Sequence, residues 1–317
     1  MSTDWKGRPE AGSRIAISIA LLLARNLGRS FVRALLYPAT AYFFLRRGAE
    51  RRGSRAFLSR ALGRPATTWQ VLRNMHAYAQ TMLDRIFLLS ESLQRFDISS
   101  HGLDVLETQM ARGRGVLLLG AHIGSFEVLR TLGEKRPGVR VAVVMDRRQT
   151  QHMTQMLHTL NPKIAANVID AGADPAELAL AMQAAAAEGA LIGLLADRAR
   201  PAEAVHTVDF FGAPADFPTG PYLIAALLEL PVVLCFGLYR GGNRYDLYFE
   251  SFAEQIRLVR GERAAQLGAW AQRYAQRLEH YTRLDPYNWF NFYDFWHRRA
   301  DPAAVRSESP SVARGDA

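Results

Sequence analysis

The sequence predicts an α/β protein in which a mainly parallel sheet is flanked by helices and preceded by a helical N-terminal segment. Two observations carry this. Beyond about residue 98, short continuous apolar runs alternate with helical stretches, the signature of βαβ units around a buried parallel sheet. Before that point, from residue 12 onward, the chain reads as helices punctuated by Gly48, Gly53 and the Gly63–Pro65 stretch.

The N-terminal segment holds the charge. Residues 1–64 carry twelve arginines and Lys6 against Asp4, Glu10 and Glu50, a balance of +10, whereas the whole 317-residue chain carries +9. The rest is therefore close to neutral. A nucleic-acid binder does not usually confine its excess to one end, so nucleic acid is not an expected partner. Here the excess coincides with an apolar stretch, which points to anionic lipid headgroups.

Ile15–Ala24 and Ala34–Leu45 are uncharged and mostly apolar, and each falls short of the ~20 residues that span a bilayer. Between them Arg25, Arg29 and Arg33 recur every four residues, one stripe down a helix. Pro38 is expected to kink or end that helix. The pattern suits a helix lying in the membrane interface or a short tilted anchor with snorkelling arginines; a basic amphipathic helix packed on its own domain is the alternative. No small-residue cleavage site follows the early basic residues, which argues against a signal peptide. The chain divides accordingly into a membrane-associating segment over 1–64, an α/β domain over 65–299 and a flexible tail over 300–317.

Strands are expected at Gly115–Leu119, Val139–Met145, Ala165–Ile169, Ala190–Ala196 and Pro231–Leu238, with a more exposed one at Arg244–Phe252. The intervening helices are expected at Phe126–Leu132, Gln149–Leu160, Pro175–Ala187 and Gly220–Leu230, with Ala264–Arg283 as an amphipathic helix near the end. The stretch from Ala196 to Pro218 reads as irregular, and the aromatic run Tyr287–Trp296 follows the last helix. Contact with the N-terminal helices is the plainest role for that run; membrane or a carrier protein are the others.

The segment from Leu118 to Glu127 reads Leu-Leu-Gly-Ala-His-Ile-Gly-Ser-Phe-Glu. A buried strand ending at Gly120 puts His122 in the turn, with a helix beginning near Gly124 and Glu127 in its first turn. Both side chains then project above the carboxyl end of the strand, where open α/β sheets bind ligands. Histidine is suited to taking a proton from an alcohol near neutral pH, and a carboxylate on its other nitrogen fixes the tautomer. Ser125 lacks the G-x-S-x-G surroundings of a nucleophile elbow. The single cysteine, Cys235, lies in an apolar strand and excludes a disulfide scaffold and a thiolate zinc site. The pair therefore favours direct attack by an activated hydroxyl over a covalent enzyme intermediate. From spacing alone, an N-cap at Gly124 with Glu127 against the helix dipole, and His122 as an ordinary turn residue, accounts for the residues equally well.

Other candidates are weaker. Gly113 and Gly115 precede a strand rather than opening a helix, so they form no dinucleotide fingerprint. His152 and His158 lie six apart on a predicted helix and do not align as metal ligands. His76, His101, His206, His280 and His297 stand in no motif. Phe210 and Phe211 read as core packing, and Arg198 with Arg200 as an ion-pair cluster about Asp197.

His122-Ile-Gly-Ser-Phe-Glu127 after an apolar strand resembles the H-x4-D/E motif of the lysophospholipid acyltransferase superfamily, and in its glutamate form the bacterial lipid A late acyltransferases (lauroyl and myristoyl transferases). Four later blocks resemble that branch in the same order: Val143 to Arg147, Gly193 to Arg198, Val208 to Gly212, and Phe217 to Gly220 followed by a helix and Leu230 to Val233. The resemblance covers roughly residues 10–297. It implies a glycerolipid-acyltransferase-like fold and transfer of a fatty acyl chain from an acyl-carrier-protein or coenzyme A thioester to a hydroxyl of a membrane glycolipid. It implies His122 as general base, Glu127 as its orienting partner, Arg147 and Arg148 on an anionic headgroup, and Asp197 and Arg198 beside the substrate. The backbone amides of Gly124 and Ser125 are expected to hold the oxyanion. No cofactor or metal is expected. Arg198 stands where the family usually has glutamine, and the C-terminal aromatic block also departs from the family pattern. Both resemble a side branch that serves other outer-membrane lipids, including aryl-polyene lipids; a lysophospholipid or an ornithine-type lipid as acceptor, or a catalytically silent lipid-binding relative, are the remaining readings. The expected location is the cytoplasmic face of a bacterial inner membrane.

Overall fold

The computed structural model describes residues 14–89, 93–128, 138–147, 157, 160–200 and 203–296, with backbone alone for residues 14–27, 93 and 163–164. Helices fill the N-terminal part as expected: α1 (Arg14–Arg46), α2 (Gly48–Leu62) and α3 (Thr68–Leu89). The break in α1 falls at Gly28, whose φ of 78° only glycine adopts at no steric cost, and the helix continues through Pro38. The kink expected at the proline therefore sits ten residues earlier.

The apolar runs form a sheet of seven strands: β1 (Asp97–His101), β2 (Val116–Gly120), β3 (Val141–Met145), β4 (Val168–Asp170), β5 (Leu191–Leu195), β8 (Val232–Tyr239) and β9 (Arg244–Ala253). Their order is β1-β9-β8-β2-β5-β3-β4, and every neighbouring pair is parallel except β8 with β9. β2 is buried at all five positions, which is why its sequence shows no alternation. The α-helices α4 (Leu103–Met110), α5 (Pro162–Ala166), α6 (Pro175–Ala187), α7 (Gly220–Leu227) and α8 (Arg263–Leu284) follow in chain order.

The structure differs from the sequence reading in three places. β1 closes the sheet on a segment without apolar character; its residues sit at an edge and are mostly exposed. The stretch expected to be irregular contains a hairpin, β6 (Val205–Phe210) and β7 (Ala213–Pro218), which buries Phe210 and Phe217 completely. The run expected as a strand at Ala165–Ile169 is split between the end of α5 and β4. Of the helix expected over Gln149–Leu160, Leu157 and Leu160 are described and both are helical.

The N-terminal helices share the core of the sheet. Phe57, Leu58 and Ala61 of α2 belong to one apolar cluster with Leu117, Ile192, Leu234 and Trp289. The C-terminal aromatics pack on these helices, Trp289 against Phe57, and Phe290 and Phe292 against Tyr78.

Two arginines of the α1 stripe are anchored in the domain. Arg29 donates Nε and a terminal nitrogen to the buried Asp84 of α3 at 2.7 and 2.8 Å, and Arg33 reaches Tyr239 and the Gly242 carbonyl. These arginines turn toward the domain. The outward positions are Phe31, Leu35, Tyr42 and Leu45, so the exposed face of the helix is apolar. No helix among the described residues is long and apolar enough to cross a membrane.

Candidate active site

β2 and β5 lie side by side in parallel, with Gly120 opposite Leu195. The Ala196 amide donates to the Gly120 carbonyl, carrying the ladder one step further. The second residue past each strand is His122 on one and Asp197 on the other, so the register brings them together. His122 Nδ1 lies 2.8 Å from Asp197 Oδ1. The other carboxylate oxygen accepts the His122 backbone amide and the Trp289 indole N–H, each at 3.1 Å. Asp197 is fully buried, while the His122 side chain is 38% exposed.

Sequence spacing assigns the place on Nδ1 to Glu127; the structure gives it to Asp197. The chain makes a left-handed step at Gly124 (φ 59°), and the helix opens only at Phe126. Glu127 enters that helix facing α3, where its carboxylate lies 2.9 Å from Arg85 Nε and accepts from Ser125 Oγ at 3.3 Å.

The expected oxyanion donors are also corrected. The Gly124 amide donates to the Asn288 carbonyl at 2.9 Å and the Ser125 amide to the Gly237 carbonyl at 2.8 Å. Both protons are committed to the frame. The frame is tight: a Cβ on Gly124 would sit 1.7 Å from the Gly237 oxygen. Gly124→Ala is therefore expected to lower unfolding stability by about 2–5 kcal/mol, combining left-handed strain with overpacking; thermal or denaturant melting checks this.

Desolvation by the surrounding walls holds the His122 imidazole pKa below the usual value; the Arg198 cation adds to this and Asp197 opposes it. Burial alone would raise the Asp197 carboxyl, but its interaction with His122, then Arg198, outweighs that and keeps it well below the ordinary carboxylate range. Near neutral pH the pair is thus a neutral imidazole and an ionised carboxylate. With Nδ1–H donating to Asp197, the basic lone pair is on Nε2, the other ring nitrogen.

His122 lines a cavity of about 510 Å³, within the range of small-molecule sites. Its walls are mostly apolar, including Met82, Phe126, Val143, Ile224 and Phe292, with Arg85, Glu127, Asp146, Arg198, Arg200 and Glu203 as charged exceptions beside His122. Arg198 donates to the Phe290 carbonyl and stacks on Tyr293; its buried Nε, 3.9 Å from Asp197, has no hydrogen-bond acceptor among the described residues. Arg200 pairs with Glu203. Arg147 does not line the cavity: its guanidinium donates to the Val168 carbonyl at 2.8 Å, bracing β3 against β4. Arg148, His152, His158 and His297 lie outside the described residues. Cys235 is buried with its thiol pKa pushed far up by desolvation, which makes it inert as a nucleophile.

A histidine hydrogen-bonded to a buried acid at the carboxyl edge of a parallel sheet, beside an apolar cavity, suits acyl chemistry. The family model for the bacterial lipid A biosynthesis acyltransferases matches residues 9–298. The chain belongs to that family. Membership of the lipid A biosynthesis acyltransferases makes it an acyltransferase of lipid A-type pathways. No curated protein matches the chain.

Sequence reasoning missed Arg85 and Trp289. A signal for Asp197 as the partner of His122 was present: Leu-Gly-Ala-His on β2 and Leu-Leu-Ala-Asp on β5 end with the same offset. Nothing in the sequence marked Arg85, which reaches the site from a helix about forty residues upstream.

Proposed function

We propose that the protein transfers a fatty acyl chain from an acyl-carrier-protein thioester to a hydroxyl of a membrane glycolipid, with His122 as general base. The observation that carries the proposal is the His122–Asp197 pair at the wall of an apolar cavity. Nε2 takes the proton of the acceptor hydroxyl as its oxygen attacks the thioester carbonyl. The tetrahedral intermediate collapses, the carbon–sulfur bond breaks, and the thiolate takes the proton back from the imidazolium. Asp197 holds the tautomer and stabilises the transient cation. The apolar wall receives the acyl chain.

The oxyanion needs a donor, and the Gly124 and Ser125 amides are spent. Arg198 takes that role: its cation lines the same cavity as His122. Glu127 acts on Arg85, fixing a second cation in the cavity wall. The acidic carrier protein is drawn by arginine-rich surface near the site, and the apolar face of α1 meets the cytoplasmic side of the inner membrane.

Arg198→Gln tests two parts of this together. Loss of an oxyanion donor is expected to lower kcat by about 10²–10³-fold. Because the base must be neutral, kcat/KM falls as pH drops through the His122 pKa, and in the wild type that bend lies below the ordinary histidine value of about 6.5. Removing the neighbouring cation moves the bend to higher pH. A pH–rate profile of both proteins reads each effect.

The assignment itself is tested with purified protein, labelled acyl-carrier-protein or acyl-coenzyme A, and acceptors spanning lipid A precursors, lysophospholipids and amino-acid lipids. Label is expected in the glycolipid with the carrier-protein donor. Transfer only to a lysophospholipid, or only from coenzyme A, overturns the acceptor or the donor respectively.

A further inference from the structure

A second cavity, of about 660 Å³, lies apart from the catalytic one and shares no lining residue with it. Arg29, Ser30 and Arg33 of α1, Arg95, and the Gly242–Asn243 turn between β8 and β9 form its walls. No acid lines it. The nearest carboxylate in contact is Asp84, fully buried beneath Arg29, which balances one of the three guanidiniums.

The arginines have donors to spare. Arg29 uses its Nε and one terminal nitrogen on Asp84 and the Gly242 carbonyl. Arg33 gives one N–H from each terminal nitrogen, to Gly242 and Tyr239. A guanidinium carries five N–H donors, so each retains at least two. Arg95 makes no ion pair among the described residues; it stacks on Phe87, and its carbonyl is held by the Asn243 side chain. The frame is thus fixed, while two of its three positive charges stay unbalanced.

Position gives the cavity a meaning. β8 runs parallel to β2, so the turn after Tyr239 emerges at the same sheet edge as His122. It stands beyond the bridge between Gly124 and Gly237, farther out from the body of the sheet. On α1, the exposed Phe31 and Leu35 flank the cavity-lining Ser30 and Arg33.

We propose that Arg29, Arg33 and Arg95 form a binding site for the phosphate of an anionic membrane phospholipid, separate from the acyl-transfer site, which orients the catalytic edge toward the bilayer. Three guanidiniums over one buried acid attract a phosphodiester, forked N–H donors suit its oxygens, and the adjoining apolar residues enter the acyl layer. The separation from the catalytic cavity favours a bulk phospholipid over the phosphate of the acceptor.

The test is co-sedimentation of the full chain with vesicles of phosphatidylcholine alone and of equal parts phosphatidylcholine and phosphatidylglycerol. Arg95→Gln is expected to weaken binding to the anionic vesicles about fivefold, and Arg33→Gln with Arg95→Gln together by about 25-fold, while binding to phosphatidylcholine is unchanged. Arg260→Gln, an exposed arginine past the end of β9 at the opposite sheet edge, is expected to leave both unchanged. Arg95 holds no ion pair among the described residues, so its variant stays informative if the Arg33 change disturbs Tyr239. Wild-type affinity in the Arg95 variant, or an equal loss from Arg260→Gln, overturns the site. So does unchanged vesicle binding with a raised KM for a phosphorylated acceptor in neutral micelles, which would assign the arginines to the acceptor. Vesicle binding is read without catalysis, so a wild-type protein that binds anionic vesicles but transfers no acyl chain defeats the proposed function and leaves this inference standing.

Discussion

Replacing Asp197 by asparagine is expected to lower acyl transfer by about 10⁴-fold with the fold preserved. The reason is the direction of the bonds at that carboxylate. Oδ2 accepts two N–H donors, the His122 amide and the Trp289 indole. In the variant the amide oxygen must stay there, because an NH2 group would face both donors. The NH2 group is then forced onto His122 Nδ1, which must accept. The imidazole proton moves to Nε2, and the ring presents a donor where the acceptor hydroxyl needs a base. Nitrogen NMR of the labelled histidine reads this directly, with Nδ1 protonated in the wild type and Nε2 protonated in the variant. A variant that keeps the wild-type tautomer and activity would contradict the role assigned to Asp197.

Replacing His122 by alanine is expected to cost about 10²–10⁴-fold, the usual contribution of a positioned general base. The ring is partly exposed, so its loss leaves no closed void. Asp197 keeps the backbone amide, the indole and the nearby Arg198 as partners. Melting is therefore expected to change by only about 1–3 kcal/mol, the cost of the lost hydrogen bond at a buried acid. Activity and stability separate clearly in this variant. A collapse of stability would show instead that the pair serves the fold.

The parallel sheet was legible because burial on both faces writes itself as continuous apolar runs, and β2, β3, β5 and β8 all fall within about two residues of the expected positions. β1 was not legible, since an edge strand that stays exposed needs no apolar residues. The β6–β7 hairpin was hidden by its prolines and glycine, which read as irregular chain although Phe210, Phe217 and Trp289 pack together around it. His122 was legible from its place after a buried strand. Its partner was misassigned because sequence distance favours Glu127, five residues away, whereas the sheet brings Asp197 across from β5, 75 residues away. The arginines of α1 were visible as a stripe, but their direction depended on Asp84, a buried acid on another helix that periodicity does not reveal.

Mass spectrometry of envelope lipids from cells lacking the protein tests the central claim most directly, with wild type or His122→Ala supplied in its place. The account expects one acylated glycolipid to disappear with the protein, to return with the wild type and to stay absent with the variant at equal protein level. Its return with His122→Ala would contradict a histidine-dependent transfer.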